Sequence, residues 1–68
     1  MEQPRKSDLV DLDLTILRDT DLAWHVSDGV TETWLPKSVV EVDGFRGAFP
    51  CECLVTMPES WAEKKGLI

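Results

Sequence analysis

The stretch Leu22–Ser38, LAWHVSDGVTETWLPKS, holds two β-prone runs on either side of an Asp28-Gly29 pair. An Asp-Gly pair between two such runs is the strongest short-range signal for a β-hairpin. A two-residue turn that matches strand twist needs positive φ at both central residues, which glycine tolerates freely and aspartate better than most residues. The stretch therefore predicts an antiparallel hairpin, around which the rest of a β fold is arranged.

A two-residue turn also predicts how the hairpin strands pair. Counting outward, Ser27 pairs with Val30, and the same register puts Trp24 and Trp34 on opposite faces. A longer loop, or a bulge at Gly29, would change the faces by one residue. The pattern alone leaves these alternatives open.

Before the hairpin, apolar and polar residues alternate strictly over 10–16, VDLDLTI. This alternation predicts a half-buried antiparallel strand that begins near Asp8, with its apolar residues on the core side. Asp11 and Asp13 then lie together on the solvent side. The polar run Arg18–Asp21 is interpreted as the turn that leads into the hairpin.

After the hairpin, Val39–Val42 predicts a short third element and Cys51–Thr56 predicts the last strand. The segment Asp43–Pro50 between them contains two glycines and a proline, so it is the longest predicted loop. Its Phe45 and Phe49 are unusual for a solvated loop. They either plug one end of a barrel or form an exposed contact surface.

The end of the chain carries a nearly complete set of helix signals. Pro58 suits the first helical position, Glu59 the first turn, and Gly66 the position just past the helix end. Leu67 is expected to pack back on Trp61 or Ala62. A helix of only about two turns depends on the sheet for its stability.

Together these elements predict a mainly β fold in one small domain of 68 residues. We expect four or five antiparallel strands, as a small sheet or an SH3-like or OB-like partial barrel, with one short C-terminal α-helix. Residues 1–7 are expected to form a flexible arm and residues 8–68 the domain. The expected core residues are Leu12, Leu14, Ile16, Trp24, Val26, Val40, Cys53, Val55, Trp61 and Leu67.

The chain is acidic, with 13 Asp and Glu residues against 7 Lys and Arg residues and a formal net charge of −6. Residues 1–32 carry eight acidic and three basic residues, which gives −5. Such an excess repels a phosphate backbone and favours basic protein surfaces, although small acidic proteins are also common simply because charge keeps them in solution. The candidate protein-binding residues are the acidic side chains of this half, Asp11, Asp13, Asp19, Asp21, Asp28 and Glu32.

No catalytic, metal-binding or cofactor-binding residues are predicted. Cys51 and Cys53 share one face of a strand and, with His25, offer three soft ligands, whereas zinc normally takes four. We interpret the two thiols as buried small hydrophobes, since i,i+2 neighbours on a strand lie poorly for a disulfide. The hairpin register pairs His25 with Glu32 at the surface, and no nucleophile, base and orienting group occur together. An enzyme is not expected.

A second functional class is a single-stranded nucleic-acid-binding module, because small β-barrels often bind single strands through aromatic residues in a basic groove. The residues available for this are Trp34, Lys37, Phe45, Arg46 and Phe49. The few basic residues and the acids of the first strand make direct nucleic-acid binding the weaker hypothesis. No run approaches the 18 or so apolar residues of a membrane span, so no membrane partner is expected.

The segment Trp34-Leu35-Pro36-Lys37-Ser38 after Asp28-Gly29, together with the ending over 55–67, resembles a group of small proteins encoded by phages and prophages. The group has no established activity, and the loop Asp43–Pro50 is where this chain departs most from it. The resemblance implies a phage context, in which small acidic proteins are frequently inhibitors of host defence machinery.

The leading functional hypothesis is therefore a cytoplasmic protein-binding module in a bacterial host. It would act as an inhibitor, in the manner of an anti-CRISPR, by covering the basic, nucleic-acid-binding surface of a host protein. A third hypothesis is a homodimeric structural phage protein whose edge strand and loop phenylalanines pair between chains.

Overall fold

The computed structural model describes residues 8–68, which form one antiparallel five-stranded sheet followed by one short helix. The elements are β1 Leu9–Asp19, β2 Ala23–Ser27, β3 Glu32–Pro36, β4 Glu41–Asp43, β5 Cys51–Pro58 and α1 Glu59–Lys64. The strand order is β3-β2-β1-β5-β4, so β3 and β4 are the two edges. The predicted mainly β class with a short C-terminal helix is confirmed. The predicted N-terminal arm lies outside the described residues.

The longest strand, β1, holds the two halves of the sheet together. Residues 9–16 pair with β5, and its C-terminal end pairs with β2. The register with β2 shifts between Ile16 and Arg18, which leaves Leu17 as the extra residue of a bulge. A bulge bends a strand and increases its twist. The sequence interpretation of Arg18–Asp21 as a turn was therefore wrong for its first half, because β1 continues through Asp19.

The hairpin between β2 and β3 exists, but its loop is longer than predicted. Ser27 pairs with Glu32 rather than Val30, so the loop comprises residues 28–31. The Asp28 carboxylate accepts hydrogen bonds from the amides of Val30 at 2.8 Å and Thr31 at 2.7 Å. These bonds favour the longer loop, in which only Gly29 has positive φ.

The register moves by two residues, which leaves the faces of the hairpin unchanged. Trp24 pairs with Leu35, and His25 pairs with Trp34 rather than with the predicted Glu32. Trp24 and Trp34 therefore lie on opposite faces, as the two-residue register also predicts.

The inner face of the sheet carries the hydrophobic core. Three residues of the expected core, Leu12, Trp24 and Trp61, are only half-buried and pack against its margin. The alternation in β1 and β5 explains most of the buried set. The buried residues are Leu14, Ile16, Val26, Leu35, Val40, Cys53, Val55, Met57, Ala62 and Leu67.

The helix ends as predicted at Gly66, whose φ of 76° is in the left-handed region. The amide of Gly66 donates to the carbonyl of Glu63 at 3.1 Å, and the amide of Leu67 donates to that of Ala62 at 2.8 Å. This pair of bonds is the Schellman motif, and it turns Leu67 back into the core. At the other end, Pro58 is the N-cap residue rather than the first helical residue.

The segment before β5 covers one side of the core. Phe45 is half-buried, packs against the core and meets the Trp24 ring edge to face at 5.2 Å between centroids. Phe49 stacks at a tilt on Phe45 at 5.3 Å but is 43% exposed. The structure therefore gives the two phenylalanines different roles, since the first matches the plug and the second remains available to solvent.

Candidate protein-binding surface

The outer face of β4, β5 and β1 carries a concentrated set of carboxylates, which we call the acidic face. Strand alternation brings these side chains together, because i,i+2 residues of one strand and opposing residues of its neighbour share a face. The exposed acidic residues of this face are Asp11, Asp13, Glu41, Asp43 and Glu52.

The pairing arranges these residues in rows across the sheet. In one row, Leu54 of β5 lies between Asp13 of β1 and Asp43 of β4. In the next row, Thr56 lies between Asp11 and Glu41. Each row thus has a carboxylate on both flanks and an uncharged residue at its centre.

The distances within these rows bring the charges within one another's influence. Neighbouring strands lie about 4.8 Å apart, so the backbones of Asp13 and Asp43 are separated by roughly 10 Å. Asp11 and Asp13 are separated by about 7 Å along β1. The Debye length is about 10 Å at 0.1 M salt, so the fields of these groups add. The acidic face is therefore a region of negative electrostatic potential on the sheet.

The acidic face also contains a side-chain hydrogen bond and an exposed apolar residue. The Thr56 hydroxyl donates to Asp11 Oδ1 at 2.6 Å, which orients that carboxylate. Leu54 is 38% exposed at the middle of the face. Beside it, a shallow depression of about 530 Å³ is lined by Asp13, Asp43 and Arg46, among others. A partner can therefore combine an apolar contact at Leu54 with ionic contacts around it.

Only two of the six predicted acidic residues, Asp11 and Asp13, lie on the acidic face. Asp19 forms an ion pair with Lys37 at 2.7 Å, and Asp21 lies in the exposed turn before β2. Glu32 lies on the outer side of β3, where its carboxylate is 3.4 Å from His25 Nε2.

Asp28 has a structural position in the hairpin loop. The backbone amides of Thr31 and Val30, in that order of effect, lower the pKa of its carboxyl group. These hydrogen bonds stabilise the charged form. Asp28 thus holds the loop rather than extending the acidic face.

Sequence reasoning missed three residues of this face, namely Glu41, Asp43 and Glu52. Their own strands carried a signal, since Glu41-Val42-Asp43 and Cys51-Glu52-Cys53 alternate polar and apolar residues. What local pattern could not supply was the pairing of β4 and β5 beside β1.

The five residues of the aromatic and basic alternative do not form one platform. Trp34 lies on the outer face of β3, 42% exposed, and stacks on His25 with 4.7 Å between ring centroids. Lys37 lies on the side of Trp24, with its ammonium 4.5 Å from that ring. Phe45 and Phe49 lie near Trp24 as described above, and Arg46 lies beside the acidic face. The structure therefore distributes these residues over separate parts of the surface.

The two cysteines are free and adjacent on the inner side of β5. Cys53 Sγ and Cys51 Sγ are 3.7 Å apart. Burial, reinforced by the neighbouring thiol of Cys51, raises the pKa of Cys53 to about 11. Cys53 is buried as expected, whereas Cys51 is only half-buried.

Over residues 8–68, no group of three or more His, Cys, Asp or Glu side chains is arranged to hold a metal ion. Within the same residues, no helix is both long and apolar enough to cross a membrane. Comparison with models of known protein families, with curated proteins and with solved structures finds no match to this chain.

Proposed function

We propose that this chain is a non-enzymatic protein-binding module, encoded by a phage, that inhibits a host nucleic-acid-handling complex by covering one of its basic surfaces. The observation that supports this proposal is the acidic face, where five exposed carboxylates from three strands surround Leu54. The phage context is supported by the resemblance of the hairpin and C-terminal segments to phage-encoded proteins.

In this proposal, carboxylates stand in for phosphate groups. Lysine and arginine side chains of the partner, which otherwise contact a nucleic-acid backbone, would contact Asp11, Asp13 and Asp43 instead. Complementary charge accelerates encounter and sets orientation more than it adds affinity. The apolar contact at Leu54 would supply the buried centre that such an interface needs.

The rigid position of the acidic residues also supports the proposal. They lie on paired strands over a packed core rather than on loops, so little conformational freedom is lost when a partner binds.

The test is capture of partners from a nuclease-treated bacterial lysate by the tagged protein, with washes at low and then high salt. Three proteins are compared: the parent chain, the double variant Asp13→Lys/Asp43→Lys, and the control Asp21→Lys/Glu63→Lys. The control changes the net charge equally at exposed positions away from the acidic face.

The expected result is a protein partner that is released by salt, retained by the control variant and lost by the acidic-face variant. Affinity for that partner should fall on the order of tenfold or more on charge reversal, because attraction becomes repulsion. Equal loss in both variants would mean that only net charge matters. Recovery of nucleic acid alone would favour the nucleic-acid-binding alternative and contradict the proposal.

A further inference from the structure

The thiols of Cys51 and Cys53 form the one close pair of soft ligands that the described residues bring together. Both side chains point to the inner side of β5 because they are i,i+2 neighbours on one strand. Their partners on β1 are Ile16 and Leu14, which are buried, so apolar side chains lie beside the pair on that strand. Thiolate sulfur is a soft ligand, so the pair favours soft metal ions over hard ones.

The separation of the sulfur atoms suits a bridging ion better than a disulfide. A disulfide bond is about 2.05 Å long, so the sulfurs would have to approach by more than 1.5 Å from their present 3.7 Å. The Cα atoms of i,i+2 residues on a strand are also about 6.7 Å apart, at the upper limit for a disulfide. Closing the bond would therefore distort β5.

A metal ion needs no such closure. Two metal–sulfur bonds of about 2.3 Å span the observed 3.7 Å when they meet at about 107°. A linear arrangement needs about 4.6 Å between the sulfurs, which is more than the observed 3.7 Å. The pair as it stands therefore suits a bent arrangement of the two metal–sulfur bonds.

The number of ligands selects the kind of ion. Zinc normally requires four ligands, and residues 8–68 supply no group of three. A soft d10 ion with one positive charge is satisfied by two thiolates. We propose that Cys51 and Cys53 form a chelating site for such an ion, with Cu(I) as the metal it takes.

The charge around the pair is compatible with this assignment. Binding of Cu(I) displaces one proton from each thiol and leaves a bis-thiolate complex with a net charge of −1, without oxidation or reduction. Arg46 lines a depression with Cys51 and another with Cys53, which places a positive charge beside the complex. Asp43 lines the depression that Arg46 shares with Cys53, and its negative charge opposes the effect of the Arg46 charge. Cys51 is half-buried and lines the first depression, so the pair is more exposed at Cys51 than at Cys53.

The test is an anaerobic Cu(I) titration in competition with bicinchoninate, a chromogenic chelator, on the reduced protein. The parent chain should take one ion per chain. Cys51→Ser and Cys53→Ala should each bind about 10²–10⁴-fold more weakly, because the second thiolate acts at a high effective concentration. Alanine at position 53 avoids placing a hydroxyl group in the core, and circular dichroism checks that each variant is folded.

A second measurement needs no substitution. Phenylarsine oxide binds adjacent thiol pairs, so it should add once to the parent chain by mass and protect both cysteines from alkylation. Weakening in Cys51→Ser alone, one ion per two chains, or failure of the parent chain to compete with bicinchoninate would each overturn the chelate. The variant Asp11→Lys/Glu41→Lys, which changes residues of the acidic face that line neither depression, should still bind one Cu(I) per chain, which separates this site from the proposed function.

Discussion

The two faces of β5 differ in what their side chains do. On the inner face, Cys53, Val55 and Met57 are buried against β1 and the helix, and they hold the domain together. On the outer face, Glu52 and Leu54 are exposed and pack against no second layer of the described chain. The contrast teaches that stability and the proposed binding function are carried by alternate residues of a single strand, so substitutions can separate them.

The largest expected effect comes from Met57→Ala on the inner face. Truncating a fully buried methionine costs about 2–5 kcal/mol, whereas a core in a domain of this size supplies roughly 3–5 kcal/mol. We expect this variant to be mostly unfolded at 37 °C by circular dichroism. The matched outer variant Leu54→Ala should lose about 1 kcal/mol or less but bind the captured partner more weakly. A stable Met57→Ala protein would contradict the division between the faces.

The second prediction tests whether substitution of an exposed residue always has a small effect on stability. Gly66 is exposed, yet its backbone conformation ends the helix. A side chain at its φ of 76° is strained, so Gly66→Ala should cost about 1–2 kcal/mol. Thermal unfolding measures this loss. Space is not the cause, because the nearest atom to an added Cβ is 3.9 Å away, on Thr31. An unchanged melting temperature would mean that the Schellman end of the helix contributes nothing.

Asp28 provides a third test, because its pKa is lowered by the backbone amides of Thr31 and Val30. A carboxylate whose folded pKa is below its unfolded value stabilises the protein fully above the unfolded pKa, and the contribution is lost as pH falls through the folded pKa. The parent chain should therefore lose more stability than Asp28→Asn between neutral pH and pH 3. Urea unfolding at both pH values provides the comparison. Identical losses of stability in the two proteins would mean that the Asp28 carboxylate does not stabilise the hairpin loop.

The smallest effect on stability is expected on the acidic face itself. Asp13→Asn/Asp43→Asn removes two charges that repel their neighbours, so the protein should become more stable by a few tenths of a kcal/mol at low salt. The gain should vanish at high salt because exposed charges are screened. Destabilisation at either salt concentration would show that these carboxylates hold the sheet together.

The parts of the fold that depend on local signals were predictable. The alternation over 10–16 gave the buried face of β1, and Gly66 gave the end of the helix, because each feature is decided by neighbouring residues. The hairpin register was not predictable, since Asp28 hydrogen-bonds to its own loop and so favours a longer turn. The bulge at Leu17 left no clear sequence signal.

The candidate surface was only partly predictable for a different reason. Asp11 and Asp13 share a strand, so alternation alone placed them together. Their neighbours Glu41, Asp43 and Glu52 reach the same face through strand pairing across residues that are distant in sequence. Such adjacency depends on the order of the strands in the sheet, which cannot be derived from the distribution of charge along the sequence.

The two edges of the sheet have a consequence for self-association. The edge strand β4 has three residues, and the edge strand β3 has five and ends at Pro36, which has no amide hydrogen to donate. Short edges and an edge proline are devices that hinder the addition of another strand, including the growth of aggregates. Edge-to-edge pairing of two copies, as the homodimer hypothesis requires, could therefore form only a few backbone hydrogen bonds along the two edges that the described residues present.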